Sequence, residues 1–309
     1  MKPLLISVVI PVYRAEDCLR PLYKRLRAAL DPLSENWEAI LVEDAGGDSS
    51  WEMIKELYRT DRRVKGLKLS RNFGQHAALT AGLDRAGADW IVLMDCDLQD
   101  QPEEIPALYN RAREGWDIVI ARRRLRQDSW LRRQASRAFY RLLSYLTDTQ
   151  QDPTIANFGI YSRPAIQAVM SLREGLRYFP AMIQWVGFKA TSVDVEHAPP
   201  GARRSSYSLR RLLRLAFHVM ISFSEKPLRL VVKLGFVIAG LSFVWALILA
   251  LRALIYGRAV AGWTSLIVSI WFLSGLIILI VGIVGIYVGR TFAEVKRRPI
   301  YIIEQTTGD

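Results

Sequence analysis

The sequence predicts an α/β fold: a mostly parallel sheet flanked by helices, then an amphipathic interfacial helix and two membrane-crossing helices. Three observations carry this. Through residues 1–205, short apolar runs alternate with segments of helical spacing, the pattern of strand–helix–strand units with right-handed crossovers. The run Ile91–Met94 leads straight into Asp95 and Asp97. After Pro227 the composition changes to two long stretches without a charge.

In chain order, Leu4–Ile10 reads as a buried strand closed by Pro11. Glu16–Leu30 carries Leu19, Leu22, Leu26 and Leu30 at helical spacing. Trp37–Val42 is a second strand and delivers Glu43 and Asp44 at its end. Gly46–Ser50 is a turn, with Asp48 or Ser49 placed to cap a helix over Trp51–Arg59. Val64–Leu69 is the third strand, Gly74–Ala86 a helix of small residues, Trp90–Met94 the fourth strand and Asp117–Ala121 the fifth. From Arg122 to Arg141 the chain is rich in arginine, and Asp128 is its one acid. Asn157–Tyr161 is a strand, Ala165–Ser171 a helix and Lys189–Glu196 a strand. Leu209–Phe223 sets Arg210, Arg211 and Arg214 among leucines and Phe217, a basic amphipathic helix suited to a membrane surface.

Leu234–Leu251 and Ala259–Gly289 carry no charge. At about 1.5 Å rise per residue, each can cross a hydrocarbon core of about 30 Å. Basic residues flank the outer ends of this pair, from Arg210 to Lys233 and from Arg290 to Arg298, while the short middle loop has only Arg252 and Arg258. The positive-inside rule places both termini in the cytoplasm. The expected organisation is a catalytic domain over 1–205, the interfacial helix over 206–227, the membrane hairpin over 228–290 and a tail over 291–309.

The chain is 51% hydrophobic yet carries a formal charge of +12, which the uneven distribution explains. Cys18 and Cys96 lie far apart without metal-ligand spacing, which excludes a disulfide scaffold and fits a reducing compartment. Cys96 reads as a small buried hydrophobe. The first eleven residues lack a small-residue cleavage site and read as a strand, not a signal peptide.

The chemistry lies at the strand ends. Side chains alternate along a strand, so Asp95 and Asp97 are expected on one side and Cys96 on the other. Two adjacent carboxylates repel unless a cation joins them, and oxygen ligands suit Mg²⁺ or Mn²⁺. Gln99 offers a further oxygen. Open parallel sheets hold ligands at the carboxyl ends of their strands. With Glu43, Asp44, Arg71 and the Arg122 cluster nearby in the expected topology, the set describes a pocket for a diphosphate. No Gly-rich NTPase loop and no dinucleotide fingerprint is present. The basic surface beside membrane spans favours anionic lipid over nucleic acid as a partner.

Val8–Tyr13, Glu43-Asp44, Arg71–His76, Asp95–Gln99 and Pro102-Glu-Glu104 together resemble family 2 glycosyltransferases. The nearest group is the polyprenyl-phosphate glycosyltransferases, such as dolichol-phosphate mannose synthase, bactoprenol glucosyltransferase and the undecaprenyl-phosphate aminoarabinose transferase. The resemblance covers essentially the whole chain. It implies a Rossmann-like, GT-A type sheet and inverting transfer of a sugar from a nucleotide donor, with UDP expected, to undecaprenyl phosphate. That activity would sit at the cytoplasmic face of a bacterial inner membrane and serve cell-envelope glycan or lipid A modification. By position, Pro11, Tyr13, Glu16, Asp44, Arg71 and Gln75 would bind the donor. Asp95, Asp97 and Gln99 would hold Mg²⁺ or Mn²⁺. Arg122, Arg133 and Ser136 would meet the acceptor phosphate. It also implies a homo-oligomer, a tetramer.

Two positions depart from the group. Ser206 stands where a phosphate-binding Lys is usual, which leaves Arg203 or Arg204 to make that contact. Asn157 stands where many members have an Asp, which weakens any base role there. Gln134-Ala-Ser-Arg137 is followed by Ala138, and no Glu-Asp pair follows Asp44, which argues against a polymerising synthase. The alternatives are a membrane glycosyltransferase with a carbohydrate or protein acceptor, or a non-catalytic lipid-binding scaffold. Partitioning of labelled product into organic solvent separates the first, and metal-dependent turnover of a nucleotide sugar the second.

Overall fold

The apolar runs become central strands because only a strand covered on both faces can bury them whole. The computed structural model describes residues 5–123, 155–172, 174, 177–195, 226–256 and 262–308. Arg133, Ser136, Arg203, Arg204, Ser206 and the expected interfacial helix lie outside these. Among the described residues eight strands form one sheet: β1 (Ile6–Val12), β2 (Trp37–Glu43), β3 (Val64–Leu69), β4 (Trp90–Leu93), β5 (Ile118–Arg123), β6 (Ile155–Ser162), β7 (Ala190–Val195) and β8 (Ile303–Thr306). Their order is β7-β5-β6-β4-β1-β2-β3-β8. Strands β1 to β4 run parallel, as do β5 and β7. The mostly parallel sheet is present, with two reversals: β6 is antiparallel to β4 and β5, and β8 to β3.

Every residue of β1 and β2 is buried. Strand β1 does not stop at Pro11 but continues to Val12. The Val9 carbonyl accepts from Met94 N on the β4 side, and Pro11 has the same parity as Val9. Its missing N–H therefore faces the side where β4 has ended at Leu93, and no ladder bond is lost.

Helices α1 (Glu16–Leu30), α2 (Ser50–Thr60) and α3 (Gln75–Arg85) match the expected segments. Helix α1 buries Leu19, Leu22, Leu26 and Leu30 on one stripe. Asp48, not Ser49, serves the start of α2: it accepts from Ser50 N at 3.4 Å and Ser50 Oγ at 2.8 Å. Helix α5 (Arg163–Ser171) matches its expected segment, and α4 (Ile105–Ala112) and α6 (Phe179–Trp185) add to those the sequence pattern predicts.

Glycine lets α3 approach the sheet closely. A Cβ on Gly82 would sit 2.3 Å from Val9 Cγ1 and 3.2 Å from Val42 Cγ2. Gly82→Ala is therefore expected to cost about 1–3 kcal/mol by overpacking. Thermal unfolding of the purified variant checks it, and an unchanged midpoint contradicts the packing described.

At the sheet end opposite the site, Glu38 ties three strands together. It accepts from Ser7 Oγ and Lys65 Nζ, both at 2.5 Å, and from Gly87 N at 3.1 Å. A buried carboxylate needs such partners to be tolerated.

The described residues fall into two compact units, the sheet with residues 298–308 and the pair of long helices. Those are α7 (Lys226–Tyr256) and α8 (Trp263–Val295). Within them Ser269–Val295 is long and apolar enough to cross a membrane, and Leu230–Trp245 is apolar over a shorter length.

Candidate active site

Three parallel strands end side by side, and two of them present acids there. Strand β1 supplies Pro11 and Val12 and leads into Tyr13, β2 leads into Asp44, and β4 leads through Met94 into Asp95, Cys96 and Asp97. With Asn72, Gly74 and Gln75 these line a cleft of about 290 Å³. None of the described lining residues is Lys or Arg.

The backbone is bent at each of these ends. Arg14, Ala45 and Leu98 have φ of 53°, 49° and 64°, and each directly follows a lining residue. A left-handed conformation at a residue other than glycine costs about 1–3 kcal/mol and tends to mark functional sites. Because β4 stops at Leu93, strict alternation does not continue through Asp97, and Cys96 lines the cleft beside both acids instead of facing away. Burial pushes its thiol up to about 12, although the Tyr13 amide bonds the sulfur.

Asp44 is 3% exposed. Its carboxylate accepts from Phe73 N at 2.7 Å and Gly74 N at 2.9 Å, and its carbonyl accepts from Asn72 Nδ2 at 3.2 Å. Burial raises its pKa, and the two amides only partly offset that. Asp44 thus fixes the loop before α3 while lining the cleft. Gln75 Nε2 donates to Asp95 Oδ1 at 2.8 Å. The buried Asp100 accepts from Asp95 N at 3.2 Å, and Asp97 Oδ1 accepts from Gln99 N at 3.1 Å.

Of the expected site residues, Pro11, Tyr13, Asp44, Gln75, Asp95 and Asp97 come together in the cleft. Glu16 instead accepts from Ser49 N at 3.0 Å, joining α1 to α2. The Arg71 guanidinium stacks on the Phe73 ring at 4.3 Å and is not in the lining. Arg122 Nε donates to Asp194 at 2.6 Å. Gln99 follows the bend but does not line the cleft. Burial pulls His76 down to about 4, so it is neutral, and its ring packs edge-on to Tyr178 at 5.5 Å.

Sequence reasoning missed Asn72, Gly74 and Asp100. Gly74 has φ of 94°, and its place between the Arg71–Phe73 loop and α3 was the available signal. Glu43, expected in the diphosphate pocket with Asp44, is 2% exposed and does not line the cleft. It accepts from Gly46 N at 2.5 Å and folds the chain just after Asp44.

Among the described residues no three of His, Cys, Asp and Glu form a metal cage. Two carboxylates and a cleft open to solvent suit a divalent ion that keeps most of its shell for water and phosphate oxygens. The oxygen donors of Asp95 and Asp97 fit that group.

A family model described as glycosyl transferase family 2 matches residues 7–171. An undecaprenyl-phosphate 4-deoxy-4-formamido-L-arabinose transferase of Aeromonas hydrophila is 36% identical over 304 residues, 97% of this chain and 93% of that protein. A prophage bactoprenol glucosyl transferase homolog of Escherichia coli is 34% identical over 301 residues, 97% of this chain and 98% of that protein. Glucosyl-3-phosphoglycerate synthase of Mycobacterium tuberculosis, solved with Mn²⁺, UDP and phosphoglyceric acid, shares the fold at 17% identity. Its TM-score is 0.50, over 71% of this chain and 76% of that one. The resemblance carried by the strand-end motifs is thus found along nearly the whole chain, which belongs to glycosyl transferase family 2 and is a glycosyltransferase.

Proposed function

We propose that the chain transfers a sugar from a UDP-linked donor to undecaprenyl phosphate, with inversion, at the cytoplasmic face of a membrane. The cleft is the observation that carries this reading. Asp44, Asp95 and Asp97 line it, and carboxylates facing a donor diphosphate repel it unless a divalent cation accompanies it. Asp95 and Asp97 would hold Mg²⁺ or Mn²⁺, with Gln99 beside them. When bound, the ion neutralises the diphosphate and stabilises it as a leaving group. The chain's own residues orient and enclose: Asp44 fixes the 72–74 loop against the nucleotide, Tyr13 stands at the cleft wall, and Gln75 fixes the Asp95 carboxylate.

The acceptor needs no base. A lipid phosphate is already largely ionised near neutral pH, its second pKa being about 6. Its oxygen forms a bond to the anomeric carbon as the bond to the nucleotide diphosphate breaks. One in-line displacement inverts that carbon. The names of the A. hydrophila and E. coli relatives support the acceptor class and differ in the sugar.

The C-terminal strand supports the membrane reading. That β8, which follows α8, pairs in the same sheet as the strands that precede α7 supports a hairpin of two crossing helices. The flanking arginines and lysines assign its two ends to the cytoplasm. A tetramer follows from the resemblance alone.

Arg122 and Arg133 are the proposed contacts to the acceptor phosphate, which must compete with Asp194 for Arg122. Arg122→Ala and Arg133→Ala are each expected to raise the KM for lipid acceptor about tenfold and the donor KM much less. An equal change in both constants contradicts the assignment. The function itself is tested by incubating the protein with undecaprenyl phosphate and a panel of labelled nucleotide sugars. Label is expected to enter the organic phase with one of them. Label found only on a carbohydrate or protein acceptor overturns the reading.

A further inference from the structure

Without β8, strand β3 would be an edge of the sheet. The residues that cover it come from the far end of the chain and are fitted to it throughout. Thr307 N donates to the Gly66 carbonyl at 3.0 Å, and Gly66 N donates to Thr307 Oγ1 at 2.7 Å. A Cβ on Gly66 would lie 2.4 Å from Ile54 Cγ2 on α2 and 2.8 Å from Thr307 Cγ2, so the glycine makes room for that helix and the tail together. Trp51 Nε1 donates to Gln305 Oε1 at 2.8 Å, and Lys68 pairs with Glu304 at 3.2 Å.

The contacts continue to the edge of the cleft. Ser70 N donates to the Ile302 carbonyl at 3.0 Å, at the point where β3 becomes the loop of residues 70–74. Tyr301 OH donates to Asp84 on α3 at 2.8 Å. The loop between these two anchors carries the Phe73 and Gly74 amides that hold Asp44, and α3 begins with Gln75, which holds Asp95. The tail therefore holds the start of the loop at Ser70 and the last turn of α3 at Asp84, and the loop and the rest of that helix lie between the two anchors.

We propose that residues 301–307 are a positioning strap for the donor site, keeping the 70–74 loop in the geometry in which Asp44 and Gln75 serve the nucleotide sugar. This rests on the reading of that cleft as the donor site. The physical argument is one of population. Edge strands and exposed loops open locally at low cost, whereas a strand paired on both sides opens far less often. A loop that is competent only a fraction of the time weakens apparent ligand affinity by that fraction, leaving the bound complex unchanged. Loss of the strap thus raises the donor constant and spares turnover at saturating donor.

The test uses the full chain in detergent with the double substitution Gln305→Pro and Thr307→Pro, which removes amide donors from the strand and the hydroxyl from Thr307. Thr307→Ser, which keeps both groups, is the conservative companion. Hydrogen exchange is read over residues 66–76 and 301–308, and UDP with Mn²⁺ is titrated as the donor-site probe. The strap predicts exchange faster by about tenfold or more in both segments. It also predicts a UDP dissociation constant raised by about five- to twentyfold, kcat at saturating donor within about twofold and an unchanged acceptor KM. Thr307→Ser is expected to match the parent. Residues 301–308 exchanging faster while 70–74 stays protected overturns the strap. Both segments loosening with UDP affinity unchanged leaves the strap's hold on the loop intact and overturns the donor-site reading of Asp44.

Discussion

Asp97→Asn is expected to abolish sugar transfer and leave the fold unchanged. The side chain is exposed at the end of the Met94–Asp97 segment and accepts from Gln99 N at 3.1 Å. Substitutions of this kind shift stability by about 0.5 kcal/mol or less. The amide removes one of two carboxylates proposed to hold the cation that neutralises the leaving diphosphate. Losing a group aimed at developing charge costs about a hundred- to a thousandfold in kcat. Initial rates at saturating donor and acceptor, with a thermal melt alongside, check both halves. Turnover like that of the parent contradicts the metal assignment.

Asp44→Asn is expected to act on binding. The carboxylate accepts from two backbone amides, whereas an amide side chain has one acceptor and would bring an NH₂ against the second N–H. A hydrogen bond to a charged acceptor contributes about 1.5–3 kcal/mol, so donor affinity should fall by about ten- to a hundredfold through loosening of the 72–74 loop. The effect on stability is smaller, because burial already makes the charge unfavourable. Its pKa is raised in the folded state, so the fold binds the proton more tightly than the unfolded chain does. Stability from this group is therefore present at low pH and is lost as pH rises through the raised value. Relative to the non-titrating variant, the parent should be more stable in acid than at neutral pH. Unfolding midpoints of the pair across the carboxylate range test the sign, and a difference that grows in the parent's favour with rising pH contradicts it.

The strands β1, β2 and β4 were legible because burial on both faces writes them as apolar runs, and α1 because Leu19, Leu22, Leu26 and Leu30 mark its buried stripe. Helices α4 and α6 were not. Each is short and carries a proline at its start, Pro106 and Pro180, where the residue reads as a breaker but the missing N–H costs nothing. The direction of β6 leaves no local trace, since an apolar run reads the same either way. Strand β8 has four residues and a partner more than two hundred positions away, so nothing near it announces the pairing.

The acids of the cleft were legible because a carboxylate after an apolar run marks a strand end in an open parallel sheet. What supports them was less so. Asp100 under Asp95, Asn72 on the Asp44 carbonyl and the left-handed residues Arg14, Ala45 and Leu98 matter through backbone geometry, which residue type alone does not reveal. The same holds for Arg122, whose pairing with Asp194 joins β5 to β7.

The central claim is that a divalent ion held at Asp95 and Asp97 lets one anion displace another in this cleft. The most direct measurement is the transfer rate onto undecaprenyl phosphate in excess EDTA, then after Mg²⁺ or Mn²⁺ is restored. The account predicts no lipid-linked product with chelator and recovery with metal; equal rates in both conditions would contradict it.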